Sequence, residues 1–225
     1  MSALAKRALG GALRFVLFLA ALLLVVSGSL YYWQLWLFLA VLSLSVFAIT
    51  LYLLRHDPVL LERRMMAGPR AERERSQKII MGFGAVVFFS YALLPGFDHR
   101  FAWSSVPDWA VFLGDLAVGA GMLIVFFVFR ENSFASSTVE IHPDQQVIST
   151  GLYGIVRHPM YMGALLFTLG TPVALGSWWG LILFPAIVAV LAWRLIEEER
   201  MLIRDLPGYA AYRDKVSFRL VPCLW

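Results

Sequence analysis

Arg157, His158 and Tyr161 stand together in the stretch "GLYGIVRHPMYMG", directly ahead of the apolar run "ALLFTLGTPVALG". Ionisable side chains beside such a run are costly unless they bind something or mark a boundary. Pro159 fits the first turn of a helix, where its missing N–H costs no hydrogen bond. It also biases His158 toward extended backbone. The spacing therefore predicts a helix from Met160, with Arg157 and His158 at its mouth and Tyr161 in its first turn. Free N–H groups and the positive end of the helix dipole face the same place. The mouth suits a carboxylate or another polar group near the membrane interface. The simpler alternative is a positive anchor flanked by interfacial His and Tyr side chains.

A second group lies in "AWRLIEEERMLIRDL". At about 100° per residue, Glu198 falls about 40° from Arg194, at i, i+4 spacing. Glu199 falls on the apolar arc of Leu195, Ile196, Leu202, Ile203 and Leu206. Glu197 shares the opposite arc with Arg200 and Arg204 and is expected in a solvated charge run. Glu198 and Glu199 face inward, where a carboxylate is costly unless it has a partner. Arg157, His158, Tyr161 and Arg194 thus form a cationic, hydrogen-bonding half opposite an acidic half, Glu198 and Glu199. A zwitterionic cofactor with amine, carboxylate and adenosine groups matches that pair. In the alternative, the helix has already left the membrane and its apolar arc packs only on the tail.

The elements that must position these residues are membrane helices. Of 225 residues, 60% are hydrophobic and 15% charged, with a mean hydropathy of +0.73. A span needs about 20 mostly apolar residues. Candidate spans run roughly over 13–32, 35–54, 79–95, 109–129, 161–176 and 178–196. The last two read as two short spans or as one hairpin dipping into the bilayer. The expected fold is all-α: a polytopic integral membrane protein of five to six membrane segments, with a C-terminal helical hairpin and a cytoplasmic cofactor pocket. Residues 1–129 supply the N-terminal transmembrane helices, and residues 130–225 carry the chemistry.

Charge sets the orientation. Of 19 Lys and Arg residues, Arg100 alone falls in a loop assigned to the outside. Both termini and residues 130–160 are then cytoplasmic by the positive-inside rule, and a bacterial inner membrane is the expected location. The basic surface reads as a topology signal and an anionic-lipid contact rather than a nucleic-acid site. The N-terminus resembles a signal peptide, but the aromatic belt "LYYWQLW" favours an uncleaved first span. Cys223 is the sole cysteine, which excludes an internal disulfide and a thiolate metal cluster. His56, His99, His142 and His158 make no i, i+4 pair, so no histidine zinc motif is present.

Two polar stretches interrupt the apolar runs. "RHDPVLLERRMMAGPRAERERSQK" reads as a broken amphipathic helix on the membrane surface or as a solvated connector. Residues 130–159 are too long for a default connection, which suggests function. Within them, "VEIHPDQQVIST" predicts two short β-prone runs around a Pro-Asp turn.

Taken together, "G-x-Y-x-x-x-R-H-P-x-Y-x-G", then "R-x-x-x-E-E-x-x-L" and a Tyr-x-x-Tyr tail, resemble the isoprenylcysteine carboxyl methyltransferase family and its bacterial relatives. The resemblance covers residues 130 to about 222. It implies an integral membrane enzyme that uses S-adenosyl-L-methionine held on the cytoplasmic side. By motif position it implies cofactor contacts from Gln145, Gln146, Val147, Ile148, Tyr153, His158, Pro159, Met160, Tyr161 and Glu198. Arg157 and Glu199 are further candidates, and Arg194 would orient the substrate. The implied acceptor is a lipophilic small molecule or lipidated substrate, such as an isoprenylcysteine-like carboxylate; a lipid amine or small thiol is the alternative. Membrane sterol reductases, which use NADPH, share an "R-H-P-x-Y"-like element. They typically follow the last helix with an Arg-rich segment, whereas "EEERML" is acidic. A membrane scaffold or small-ligand binder is the non-enzymatic alternative.

Overall fold

A computed structural model describes residues 2–66, 75–138, 141 and 144–222. The chain is a polytopic helical membrane protein, and no strand occurs among the described residues. Among the described residues, five helices are long and apolar enough to cross a membrane. Helix α1 (Ala3–Ser27) is opened by Ser2, whose hydroxyl accepts from Ala5 N. It is closed by Gly28 at φ 65°, a left-handed conformation that a Cβ disfavours. Helix α2 (Trp33–His56) runs to Asp57. That carboxylate accepts from Leu60 N at 2.9 Å, and Pro58 occupies the first turn of α3 (Pro58–Met65). One Asp-Pro pair thus ends a span and starts a surface helix. The broken helix expected here is seen as α3; the rest of that stretch, up to residue 74, lies outside the described residues.

Helices α4 (Arg75–Phe101) and α5 (Asp108–Glu131) complete the first four spans. Helix α6 (Pro159–Ala174) has 16 residues, about 24 Å of rise, short of a hydrocarbon core of about 30 Å. A 3₁₀ turn at Trp179–Leu183 leads into α7 (Phe184–Asp205), and together these form the fifth long apolar segment. Helix α8 (Tyr209–Lys215) lies in the tail. The two C-terminal candidate spans therefore form a hairpin with one short arm and one long arm.

The α5–α6 pair packs through glycines seven residues apart on each helix. A Cβ on Gly121 would lie 2.6 Å from Gly163 O and from Phe167 N, and one on Gly170 would lie 2.6 Å from Gly114 O. Close backbone approach of this kind substitutes for a hydrophobic driving force that lipid cannot supply. The pairing fixes the start of α6, and with it the Arg157–His158 corner, against the end of α5.

The opposite end of the bundle is pinned by a buried carboxylate. Asp98 accepts from Ser104 N at 2.8 Å, Ser104 Oγ at 2.6 Å and Ser177 Oγ at 2.5 Å. Those bonds offset its desolvation and tie the hairpin turn to the end of α4. Exposed Trp33, Trp36, Trp103, Trp109, Trp178 and Trp179 ring this end, the interfacial belt anticipated from "LYYWQLW".

One expectation is corrected. The described part of "VEIHPDQQVIST" forms no strands; Val139, Glu140, His142 and Pro143 lie outside the described residues. Ile141 and Val147 pack instead on Leu206, Tyr209, Tyr212 and Val216. Their apolar character is satisfied by the tail rather than by a pairing edge.

Candidate functional site

The mouth of α6, the end of α7 and the loop after α5 enclose a cavity of about 420 Å³, within the usual range for small-molecule sites. Gln145, Gln146, Val147, Ile148, Tyr153, Arg157, His158, Pro159, Met160, Tyr161, Arg194 and Glu198 all line it. Residues expected from two motifs and a loop thus share one space.

Pro159 sits in the first turn of α6, and His158 is its N-cap at φ −126°, ψ 63°. This is the predicted Pro-led entry, starting one residue earlier. Tyr161 lies one turn in, and its hydroxyl donates to Glu198 Oε2 at 2.5 Å. The bond joins residues 37 apart in sequence. Arg194 also sits beside the Tyr161 hydroxyl, and its Nη2 donates to Ser137 O at 3.0 Å. The i, i+4 pair Arg194–Glu198 therefore presents opposite charges around one phenol.

The three adjacent glutamates have different partners. Glu197 pairs at 2.5 Å with exposed Arg200, as the helical wheel indicates. Glu198 faces the cavity. Glu199 is buried behind it, accepting from Arg157 Nε at 2.7 Å and Arg219 Nε at 2.9 Å. His158 Nε2 lies 3.8 Å from the same carboxylate.

Arg157 reaches inward rather than toward a lipid surface. It is 7% exposed, and its Nη1 donates to Val216 O at 2.7 Å and Ser217 O at 3.0 Å. The backbone continues the seam: Arg157 N donates to Phe218 O and His158 N to Arg219 O, both at 2.9 Å. The tail is thereby strapped to the wall of the cavity.

Tyrosines close the remaining side. Tyr212 Oη donates to Tyr153 O at 2.7 Å, Asn132 Nδ2 donates to Tyr153 Oη at 2.8 Å, and Tyr209 Oη approaches His158 Nε2 at 3.5 Å. Burial pushes the Tyr212 hydroxyl up to about 12, and pushes those of Tyr153 and Tyr209 further in the same direction. All three stay protonated at neutral pH and so remain donors.

Several lining residues escaped the sequence reading. Tyr209 and Tyr212 belong to the quoted Tyr-x-x-Tyr, whose i, i+3 spacing puts both rings on one helix face, but they had no assigned place in the site. Arg64 comes from α3, far away in sequence, and nothing in its local pattern signals the cavity. Met81 of α4 joins Ala164 and Leu191 as apolar lining from the membrane helices.

Comparison with known proteins agrees with this geometry. Residues 109–206 match the phospholipid methyltransferase family. Over 107 residues the chain is 33% identical to the protein-S-isoprenylcysteine O-methyltransferase of Schizosaccharomyces pombe. That stretch covers 46% of this chain and 45% of the relative, so the chain spans about half the length of the curated relative it matches. The family match contains the α5–α6 glycine seam, the loop and both motifs that meet at Tyr161 and Glu198. Over this region the chain is similar to the phospholipid methyltransferase family and to an isoprenylcysteine O-methyltransferase.

Proposed function

We propose that the chain is an integral membrane, S-adenosyl-L-methionine-dependent methyltransferase whose acceptor is lipophilic. The observation that carries the reading is the Tyr161–Glu198 bond at 2.5 Å. It brings the "RHPMY" corner and the "RLIEE" helix to one cavity that also holds the loop Gln145–Ile148. The donor set fits the cofactor. Glu198 suits its amine, Gln145, Gln146 and the tyrosine hydroxyls suit polar atoms of the nucleoside, and Tyr153, Tyr209 and Tyr212 offer ring faces for the adenine. His158, Pro159, Met160, Val147 and Ile148 complete the wall, and Arg157 and Glu199 hold that wall in place.

When bound, S-adenosyl-L-methionine supplies an electrophilic methyl group. A carboxylate acceptor is already anionic and needs no general base, so the chain's own work is positioning and electrostatics. Arg194 orients the acceptor carboxylate through its planar fork. Tyr161 holds the Glu198 carboxylate through its hydroxyl. Met81, Ala164 and Leu191 provide the apolar end that a prenyl-like tail needs. An isoprenylcysteine-like carboxylate is the acceptor class we favour, and the cavity lies on the cytoplasmic side with both termini.

Calorimetric titration of the purified protein with S-adenosylhomocysteine and, separately, with NADPH tests this reading. Saturable binding of S-adenosylhomocysteine alone is expected. Binding of NADPH alone would replace the methyltransferase with a reductase, and binding of neither would leave a non-enzymatic protein.

A further inference from the structure

Below its polar rim the cavity turns apolar. Tyr161, Arg194 and Glu198 line it at one level, and Met81 of α4, Ala164 of α6 and Leu191 of α7 line it further toward the bilayer. Helices α4 and α6 run into the membrane from this side, so their later residues lie deeper. Helix α7 arrives from the tryptophan-ringed end, so its earlier residues lie deeper. The three helices thus enclose an apolar compartment that continues the polar one.

That compartment is closed where α4 and α7 meet. On α7, Ile187, Val190, Leu191, Arg194 and Glu198 recur at helical spacing on one face. Val190 is the step beyond Leu191, as Gly84 is the step beyond Met81 on α4. A Cβ on Gly84 would lie 3.1 Å from Val190 Cγ1, inside ordinary carbon–carbon contact distance. Glycine brings the α4 backbone onto that methyl group. Further in, the hydroxyl of buried Tyr91 donates to Thr168 O and ties α4 to α6. From Tyr161 to Thr168, α6 rises about 10 Å. The compartment therefore has a polar rim and, about 10 Å away, a closed end.

A lipophilic chain whose polar head sits at the rim points along this compartment and meets Val190. We infer that the Gly84–Val190 crossing is the floor that sets the length of apolar chain the site accepts, with Val190 as the specificity-determining side chain. This rests on the methyltransferase reading for what the chain is, the apolar part of the acceptor. A tail drawn from lipid or detergent is already in an apolar medium, so burial itself selects nothing. Fit selects, because a close-packed site penalises both an extra methylene and a void. With no side chain at position 84, the two methyl groups of Val190 set the depth.

The experiment titrates the purified full chain with a series of N-acetyl-S-alkylcysteines, from hexyl to tetradecyl, with and without S-adenosylhomocysteine. The probes share one carboxylate and differ only in chain length. Wild type should show an optimum length, beyond which affinity falls. Val190→Ala removes two methyl groups and should move the optimum to a chain about two methylenes longer. Val190→Ile should move it to a shorter chain. Gly84→Ala added to Val190→Ala should return the optimum toward wild type, because the new methyl group takes the vacated space. A merely structural role for Val190 would change affinity at all lengths alike and leave the optimum in place. An unchanged optimum in both Val190 variants, or affinity indifferent to length in wild type, would overturn the floor. If Val190→Ala fails to fold, an unchanged optimum in Val190→Ile has the same force. Failure of wild type to bind S-adenosylhomocysteine, with the optimum present in its absence, counts against the methyltransferase reading alone.

Discussion

Arg157 Nε donates to Glu199 Oε1 at 2.7 Å, with both residues buried. The Arg157–His158 corner that opens α6 therefore divides its work: His158 and Tyr161 face the ligand space, while Arg157 holds the tail. Glu199 accepts a second bond from Arg219, so one carboxylate joins the α6 mouth, α7 and the tail. Removing one partner from a buried pair strands the other. Glu199→Ala should cost about 3 kcal/mol and loosen residues 216–220. Thermal unfolding in detergent and hydrogen exchange of the tail should both report it. An unchanged midpoint together with a protected tail would contradict the strap.

The α5–α6 seam makes a separate prediction. A side chain at Gly121 or Gly163 has no space, because the obstructing atoms include backbone of the facing helix. Overpacking of this kind costs about 1–3 kcal/mol where side chains can yield, and here backbone must move. Gly121→Val should lower the yield of folded protein and weaken S-adenosylhomocysteine binding together. Gly82, with nothing near its Cβ position, is the control, and Gly82→Ala should be silent. Equal behaviour of the two variants would show that the helices do not approach as described.

The helices are legible because a bilayer demands a fixed length of apolar sequence: five of the six candidate runs are long apolar helices, and the run 161–176 is the shorter α6. The roles of Glu197, Glu198 and Glu199 were legible because one helical turn separates inward from outward positions. The Pro159 entry followed from local backbone chemistry. Long-range pairing was not legible. Nothing local ties Arg64 to Ser136, or Arg157 to Ser217, and both depend on how α3 and the tail fold back. Arg157 illustrates the limit: its residue type fitted a lipid anchor or a ligand contact equally well, and the choice was made by carbonyls 59 and 60 residues away. The β-prone runs misled because Val147 and Ile141 satisfy their apolar character by packing on the tail.

Orientation is tested by labelling. With Cys223 replaced by serine, a single cysteine at position 145 should react with a membrane-impermeant maleimide in opened vesicles and remain unreacted in intact cells. A single cysteine at position 103 should show the opposite pattern. Labelling of position 145 from outside would invert the topology and place the cavity on the wrong face for a cytoplasmic cofactor.

The central claim is that the cavity joining Tyr161 to Glu198 is the cofactor site. It is tested most directly by S-adenosylhomocysteine affinity, measured by calorimetry on wild type, Glu198→Gln and Glu197→Gln. Glu197 is paired with exposed Arg200 and does not line the cavity, whereas Glu198 does. Glu198→Gln should weaken binding by about 1.5–3 kcal/mol, the loss of a charged hydrogen bond, while Glu197→Gln stays within error of wild type. Equal affinity in all three proteins, or equal losses in both variants, would contradict the assignment of the cavity.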